Sequence, residues 1–278
     1  MKGFVVLFFG ACLMAFGCQK SEVEPEGGLT ILTASSSQAE PESRVNIDEA
    51  TATTTTWSED DEISVFTSEG AFKPFALASG AGEKTGTFSA TLNSGETVSD
   101  YAIYPSGNHS FTGGNLKVNL PAEYEFVEGV SNIPMISTVD DTHILNFKHC
   151  GGVIRFGIRN VTVKGTFVFT CSTHRVTGDF DVDFSDGVPT ITAPEDAAGS
   201  VVTISFDKPQ TTENLYYFYV PVPTGSYTNF TIEVKNEDGT VVMTKTAASD
   251  KNVVRRGTVL KMKTLVQPEF TGGNEGTN

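Results

Sequence analysis

Apolar and polar residues alternate along most of the chain, in short runs that end at glycine, asparagine, aspartate or proline. The clearest runs are residues 63–66, 87–92, 101–104, 153–158, 201–206 and 230–234. Because successive side chains of a strand point to opposite faces, this alternation predicts strands with one buried face. No ten-residue stretch of the body has the spacing of an amphipathic helix. The pattern therefore predicts an all-β protein built from antiparallel β-sandwiches.

The strand-like runs are too many for one small sandwich, and a polar stretch at residues 139–142 interrupts them. We therefore predict an N-terminal β-sandwich domain at residues 29–140 and a C-terminal β-sandwich domain at residues 141–266. Residues 267–278 contain three glycines, two asparagines and a proline, which predicts a disordered tail.

The first residues have the composition of a targeting segment. Lys2 precedes an apolar run at residues 3–16, which is too short for a permanent membrane span. Residues 15–18, Ala-Phe-Gly-Cys, resemble the cleavage box of bacterial lipoproteins, so residues 1–17 are predicted to be a signal peptide and Cys18 the lipidated first residue. A plain signal peptide with an incidental cysteine is the alternative. Residues 18–28 would then be an acidic tether, and the lipid would anchor the protein in the outer membrane.

The charge balance argues against one class of partner. The chain has 278 residues, of which 34 are acidic and 19 basic, giving a formal net charge of −15. Nucleic-acid binding needs a basic surface, so we expect no nucleic-acid partner. The sequence contains no P-loop, Rossmann glycine set, nucleophile elbow or zinc-protease motif, and we predict no enzyme activity, no cofactor and no metal site.

Two cysteines lie in the body of the chain, Cys150 and Cys171. An exported location would permit a disulfide between them. Both lie within or beside strand-like runs, which fits two buried thiols equally well. The sequence leaves both alternatives open.

One segment carries a resemblance to a known family. Residues 51–66 read TATTTTWSEDDEISVF, in which a tryptophan is followed by an acidic pair and a short apolar strand. This segment resembles the fimbrillin-like proteins of Bacteroidetes, and the matching residues are Trp57, Asp60, Asp61, Ile63, Val65 and Phe66. Further matches follow in the family's order at residues 101–105, 145–149, 218–223 and 255–258.

The resemblance implies two tandem transthyretin-like antiparallel β-sandwich domains and a role as fimbrial subunit, anchor or tip. It also implies maturation by an arginine-specific protease between Arg44 and Val45, beyond a first strand at residues 29–33. Loss of that strand would open a groove for a neighbour's strand, which is donor-strand exchange. An anchor member would keep its lipid and stay uncut. The apolar face of residues 258–266 either serves as a donor strand or completes its own domain.

Two functional classes follow from these observations. The first is a non-enzymatic surface lipoprotein that forms, anchors or tips a fimbria, with other fimbrial subunits, the outer membrane and a host or bacterial surface ligand as partners. The second is a surface glycan-binding lipoprotein, in which Trp57, Tyr216 and Tyr217 are candidates for stacking on sugars. The alternative for Trp57, and the one the sequence favours, is packing in the core. A glycan binder predicts an exposed aromatic platform, whereas a fimbrial subunit predicts a removable first strand.

Overall fold

The computed structural model describes residues 27–36, 56–107, 109–130, 132–161, 164–184, 187–196, 198–207, 215–248 and 252–266. Every regular element within these ranges is a strand, and none of the described residues forms a helix that could cross a membrane. The predicted all-β class is therefore confirmed, while the tandem transthyretin-like arrangement stays a prediction. The predicted signal peptide and C-terminal tail, and most of the acidic tether, lie outside the described residues.

The strands follow one another along the whole described chain. The first ten are β1 Leu29–Ser36, β2 Glu62–Thr67, β3 Phe72–Ser79, β4 Thr85–Thr91, β5 Val98–Tyr104, β6 His109–Thr112, β7 Asn115–Leu120, β8 Glu123–Glu125, β9 Met135–Thr138 and β10 Ile144–His149. The others are β11 Gly152–Arg159, β12 Gly165–Cys171, β13 Gly178–Asp181, β14 Val201–Phe206, β15 Tyr216–Val222, β16 Gly225–Ser226, β17 Phe230–Asn236, β18 Val241–Ala247, β19 Val253–Val254, β20 Val259–Lys261 and β21 Leu265–Val266. Most pairings are antiparallel, and parallel pairs join β1 to β10, β8 to β14, and β11 to both β20 and β21.

Seven strands of the first half close into a barrel, in the order β1-β10-β9-β5-β2-β3-β4. Apolar side chains from alternate positions fill its interior, and Phe75, Phe88 and Phe147 are the largest of those that are fully buried. The barrel has no open edge at β1, because β1 pairs with β4 on one side and with β10 on the other.

The barrel includes β10, which begins after the predicted domain boundary at residue 140. Leu145 and Phe147 belong to the barrel core, and β10 pairs with both β1 and β9. The polar stretch at residues 139–142 is part of the turn between β9 and β10. The barrel thus includes a strand that follows residue 140, and the domain boundary itself stays a prediction.

The second half is a sandwich of two sheets. One sheet has the order β15-β11-β20, with β21 also pairing with β11, and the other has the order β18-β17-β12-β14-β8. Their facing side chains form an extended apolar core, in which the rings of Phe167 and Phe218 stack with centroids 4.5 Å apart. Such an aromatic pair adds about 0.5–1.5 kcal/mol to the stabilisation from buried area.

Each half contributes a strand to the other. β8 comes between β7 and β9 in the sequence, yet it pairs with β14 of the sandwich, and Phe126 directly after it packs against Tyr216. In return, β13 pairs with β7, and these two strands form a small sheet with β6. This small sheet covers the outside of the barrel, where Val118 and Phe180 pack against Ile103. The two halves are therefore interlocked.

Replacing Phe126 by alanine is expected to weaken the attachment of β8 to the sandwich. The ring lies edge-on to Tyr216 and Phe218, with centroids 4.6 and 5.5 Å away, and is partly buried. Truncation of a fully buried phenylalanine costs about 3–5 kcal/mol, so we expect a loss of about 2–3 kcal/mol in the free energy of unfolding. Chemical denaturation measures this loss, with Val127→Ala as the control because Val127 is 55% exposed. A loss no larger than that of the control would contradict the prediction.

The two body cysteines are present as thiols, and both are buried. Cys150 follows β10 and belongs to the apolar cluster between the barrel and the small sheet, whereas Cys171 ends β12 in the core of the sandwich. The structure thus has buried thiols and not the possible disulfide, because the two side chains belong to separate apolar clusters.

A partly buried histidine of β6, His109, is expected to make the stability depend on pH. The ring of His109 packs against Phe72 with centroids 4.1 Å apart, and its Nδ1 atom is buried without a hydrogen-bond partner among the described residues. Burial lowers the pKa of His109 from 6.5 to about 4, because a charged ring would lose its hydration there. The unfolded chain therefore binds a proton near pH 6.5 that the folded protein does not bind until about pH 4.

We expect the stability to be highest above pH 6.5 and to fall as the pH is lowered toward 4, where folded His109 titrates. With allowance for the partial exposure of the ring, the loss from this one residue is about 1–2 kcal/mol. Carboxylates titrate in the same range, so the measurement is the difference in unfolding free energy between the wild type and His109→Phe across this range. As the pH falls, the unfolding free energy of the wild type should decrease more than that of His109→Phe. If the unfolding free energies of the two proteins change in parallel with pH, His109 has no such effect.

Candidate functional site: the slot that holds the first strand

The first strand fills a gap between β4 and β10, which we call the slot. β1 pairs antiparallel with β4 over seven residues and parallel with β10 over four. The Thr33 N–H donates to the His143 carbonyl at 3.0 Å, and the Leu92 N–H donates to the Gly28 carbonyl at 3.1 Å. β1 is therefore hydrogen-bonded on both edges, as a central strand of a sheet is.

The inward side chains of β1 complete the barrel core. Leu32 and Ala34 are fully buried, whereas Leu29 and Ile31 on the opposite face are 67% and 51% exposed. Burial of a leucine side chain stabilises by about 1.5–3 kcal/mol. The backbone pairing and two fully buried side chains thus hold the strand in the slot.

A single stretch of chain joins β1 to the rest of the protein. The described chain stops at Ser36 and resumes at Thr56. Arg44 and Val45, the predicted cleavage residues, belong to this stretch and lie outside the described residues, as does Cys18. A cut between residues 36 and 56 would leave β1 attached to the body by noncovalent contacts alone.

Trp57 forms the floor of the slot. Its indole N–H donates to the Ala34 carbonyl at 3.3 Å, and its side chain is 2% exposed. The rings of Phe88, Tyr104 and Phe147 meet it edge-on, with centroids 5.0, 5.6 and 5.9 Å away. These contacts hold the indole in one position. The tryptophan that carries the family resemblance is therefore a residue that contacts β1 directly.

Asp61 fixes the turn that carries Trp57. Its carboxylate accepts hydrogen bonds from the Tyr104 hydroxyl at 2.6 Å and from the Ser58 backbone N–H at 2.7 Å. Of the acidic pair in the motif only Asp61 is buried, and Asp60 is exposed. The carboxylate at residue 61 thus has an architectural role, because it ties the turn to β5 beside the indole.

Gly86 of β4 lies opposite Ala34. A Cβ atom at Gly86 would lie 2.8 Å from Cδ1 of Trp57 and 2.7 Å from Cδ1 of Leu77, which is closer than real Cβ atoms approach. Glycine is therefore the residue that fits beside the indole. Sequence reasoning missed this position, because nothing in the alternation distinguishes it from the other 26 of the chain's 27 glycines.

Withdrawal of β1 would uncover an apolar groove. Phe88 lies opposite Leu32 and Leu145 lies opposite Ala34, and all four are fully buried while the strand is in place. β4 and β10 would each lose a hydrogen-bonding partner and present an open strand edge. An apolar groove between two strand edges is an arrangement that accepts an added strand.

The aromatic residues predicted to stack on sugars do not form an exposed platform. Trp57 and Tyr216 are 2% and 7% exposed. Tyr217 is partly buried, and the guanidinium carbon of Arg155 lies 4.4 Å above its ring. These three rings thus do not provide the exposed platform that the glycan-binding alternative requires, because two of them pack into cores and an arginine covers the third.

The C-terminal strand segments complete their own sandwich. β20 and β21 pair in parallel with β11, and Leu260, Met262 and Leu265 pack against the core of the second half. Of the two alternatives for residues 258–266, the described chain has the one in which they belong to their own domain.

Comparison with known proteins found similar solved structures. A proposed cell adhesion protein of Bacteroides ovatus matches with a TM-score of 0.48 and 14% identity, over 85% of this chain and 92% of that one. Another, from Bacteroides thetaiotaomicron, has a TM-score of 0.43 and 18% identity, over 90% and 98%. A fimbrial protein of Bacteroides ovatus has a TM-score of 0.31 and 13% identity, over 88% and 51%. A scan against protein-family models and a search of curated proteins found no match. Cell adhesion and fimbrial proteins of Bacteroides are thus among the solved structures to which this chain is similar.

Proposed function

We propose that this chain is a non-enzymatic subunit of a cell-surface fimbria that assembles by donor-strand exchange and contributes to adhesion. The observation that carries the proposal is β1, which is paired on both edges and has two fully buried side chains, yet is joined to the body by one stretch of chain. Cleavage between Arg44 and Val45 within that stretch would release it. A strand from a neighbouring subunit would then fill the slot.

The exchange conserves the contacts that stabilise the barrel. A donor strand would pair with the same edges of β4 and β10 and cover the same apolar groove between them. The two occupants differ in their covalent attachment. After the cut, β1 can diffuse away, whereas a donor strand is part of a folded neighbour and links two subunits. In the uncut precursor β1 keeps the groove covered, which protects it from premature pairing.

The proposal extends to the location of the protein. A lipid on Cys18 would tether the precursor to the outer membrane, facing the cell surface, with other fimbrial subunits as partners. A chain that stayed uncut would keep both its lipid and β1, and so would act as an anchor whose slot accepts no donor strand. In this proposal the two interlocked halves correspond to the tandem transthyretin-like domains that the resemblance implies.

The test uses the full-length protein and an arginine-specific protease. We expect a new N terminus at Val45, loss of the preceding residues, and assemblies larger than one chain in size-exclusion chromatography once a surface fraction of the native cells, which supplies the other fimbrial subunits, is added. Arg44→Lys is the matched control, because it keeps the positive charge but removes the arginine that the protease requires. Cut protein that stays a single chain after that fraction is added, or equal assembly by Arg44→Lys, would overturn the proposal.

A further inference from the structure

The inward positions of β1 meet three different surroundings in the slot. Thr30 is half-buried and lies opposite Ala90, Leu32 is fully buried and lies opposite Phe88, and Ala34 is fully buried. The residue opposite Ala34 on β4 is Gly86, which has no side chain that could move to make room for a larger residue. The slot therefore accommodates a large aliphatic side chain at residue 32 of the strand and only the methyl group of an alanine at residue 34.

The space beside Ala34 is already taken by Trp57. The indole lies so close to Gly86 that even a Cβ atom there would be 2.8 Å from its Cδ1 atom. The same indole donates its N–H to the carbonyl of Ala34 at 3.3 Å. A larger side chain at residue 34 would have to displace the indole or lift the strand off the floor of the slot.

Trp57 has little freedom to move aside. Three aromatic rings surround it, with centroids between 5.0 and 5.9 Å away. Asp61 accepts hydrogen bonds from Tyr104, one of these rings, and from the backbone of Ser58 beside the indole. The Trp57 backbone itself is paired, with its N–H donating to the Glu83 carbonyl at 2.9 Å and its carbonyl accepting from the Gly82 N–H at 2.8 Å.

We propose that the slot selects its strand by size at one position: the occupant carries alanine or glycine two residues after a large aliphatic side chain. This rests on the proposed function, because it specifies which donor strand the exchange would accept. The rule also sets the register. A shift by one residue would turn the apolar side chains outward, and a shift by two would bring a residue other than Ala34 against the indole.

The rule disfavours the chain's own C-terminal strand as an occupant. On the face that carries Leu260 and Met262, the next residue is Thr264, so a β-branched side chain follows Met262 at the spacing where Ala34 follows Leu32. The partner that fits is therefore a strand of another subunit with the pattern large–x–alanine or large–x–glycine, rather than a second copy that donates residues 258–266.

The first arm of the test uses two variants of the full chain, Ala34→Leu and Thr33→Leu. The two substitutions are adjacent and both introduce leucine, but Thr33 faces solvent. Trp57 is the chain's only tryptophan, so its fluorescence reports on the floor of the slot without a label. We expect a red-shifted emission for Ala34→Leu, and hydrogen exchange of the β1 amides roughly tenfold faster or more, since overpacking favours the open state. Thr33→Leu and Ala34→Gly should keep the wild-type emission.

The second arm supplies the strand from outside. Synthetic peptides of residues 29–36 are added to the Ala34→Leu chain, one with the natural sequence LTILTASS and one carrying Ala34→Leu. The natural peptide should restore the blue-shifted emission, and the leucine peptide should not. If both peptides restore it equally, or if Ala34→Leu and Thr33→Leu behave alike in the first arm, the size rule is overturned.

The two arms separate the size rule from the proposed function. The comparison of Ala34→Leu with Thr33→Leu decides the rule within one chain, whether or not any added strand binds. Failure of the natural peptide to enter the vacated slot would count against donor-strand exchange while the first arm still decides the rule. A peptide of residues 258–266 is the third probe, and restoration by it at the concentration where LTILTASS acts would contradict the exclusion of the C-terminal strand.

Discussion

Replacing Leu32 by aspartate is expected to release β1 from the slot while the C-terminal sandwich stays folded. Leu32 is fully buried opposite Phe88, so the substitution removes about 1.5–3 kcal/mol of apolar burial. It also places a carboxylate in an apolar site, which costs several kcal/mol more unless the group leaves that site. The strand can leave, because one stretch of chain joins it to the body.

The effect should be confined to the barrel. The core that Leu32 completes is a separate apolar cluster from the core of the sandwich. We therefore expect red-shifted Trp57 emission and rapid hydrogen exchange in β1, with the amides of β11, β12 and β17 still protected. Thr33→Asp is the control, because it places the same charge on the exposed face of the same strand. Equal effects of the two variants, or loss of protection throughout the chain, would contradict this prediction.

Trp57→Ala should produce the second large effect. The indole is 2% exposed, packs against three aromatic rings and donates a hydrogen bond to β1. Truncation of such a residue costs about 3–5 kcal/mol, because the cavity it leaves between fixed neighbours cannot collapse. Trp57→Phe should cost less, since it keeps part of the packing and removes only the indole N–H and the second ring.

Circular dichroism during chemical denaturation measures both Trp57 variants, because each removes the fluorescent residue itself. Tyr217→Ala is the comparison, as it truncates a partly buried aromatic ring of the other half. We expect Trp57→Ala to lower the free energy of unfolding most, and also to speed the hydrogen exchange of β1. A loss below about 1 kcal/mol would show that Trp57 does not support the slot.

The motif that carries the family resemblance has a physical explanation in the slot. Trp57 contacts the first strand, and Asp61 ties the turn that holds the indole. Asp60, the other member of the acidic pair, is exposed and has no such part in the site. The spacing of tryptophan and acid therefore reflects one turn that positions a ring under a strand, rather than a catalytic or metal-binding arrangement.

Much of the local structure was predictable from alternation. Buried residues alternate with less buried ones in β7, β14 and β17, as the sequence pattern requires. Residues 237–240, Glu-Asp-Gly-Thr, have a composition typical of a hairpin turn, and they lie between the antiparallel pair β17 and β18. Asp179 and Asp181 lie on the exposed face of β13, with Phe180 buried between them. In each case the evidence lies within a few residues of the chain, where the two faces of a strand differ in polarity.

The sequence alone determined that this protein is all-β, which face is buried in strands such as β7, β14 and β17, and that Trp57 and its acidic neighbours form a motif that resembles one family. Only the tertiary structure decided that β1 closes a barrel, that β8 and β13 cross between the halves, and that Gly86 leaves room for the indole beside Ala34. The reason is that alternation specifies which face of a strand is buried but not which strand lies beside it. β1 and β10 are adjacent in the barrel although a hydrogen bond between them joins residues 110 positions apart, and no local pattern encodes such a pairing.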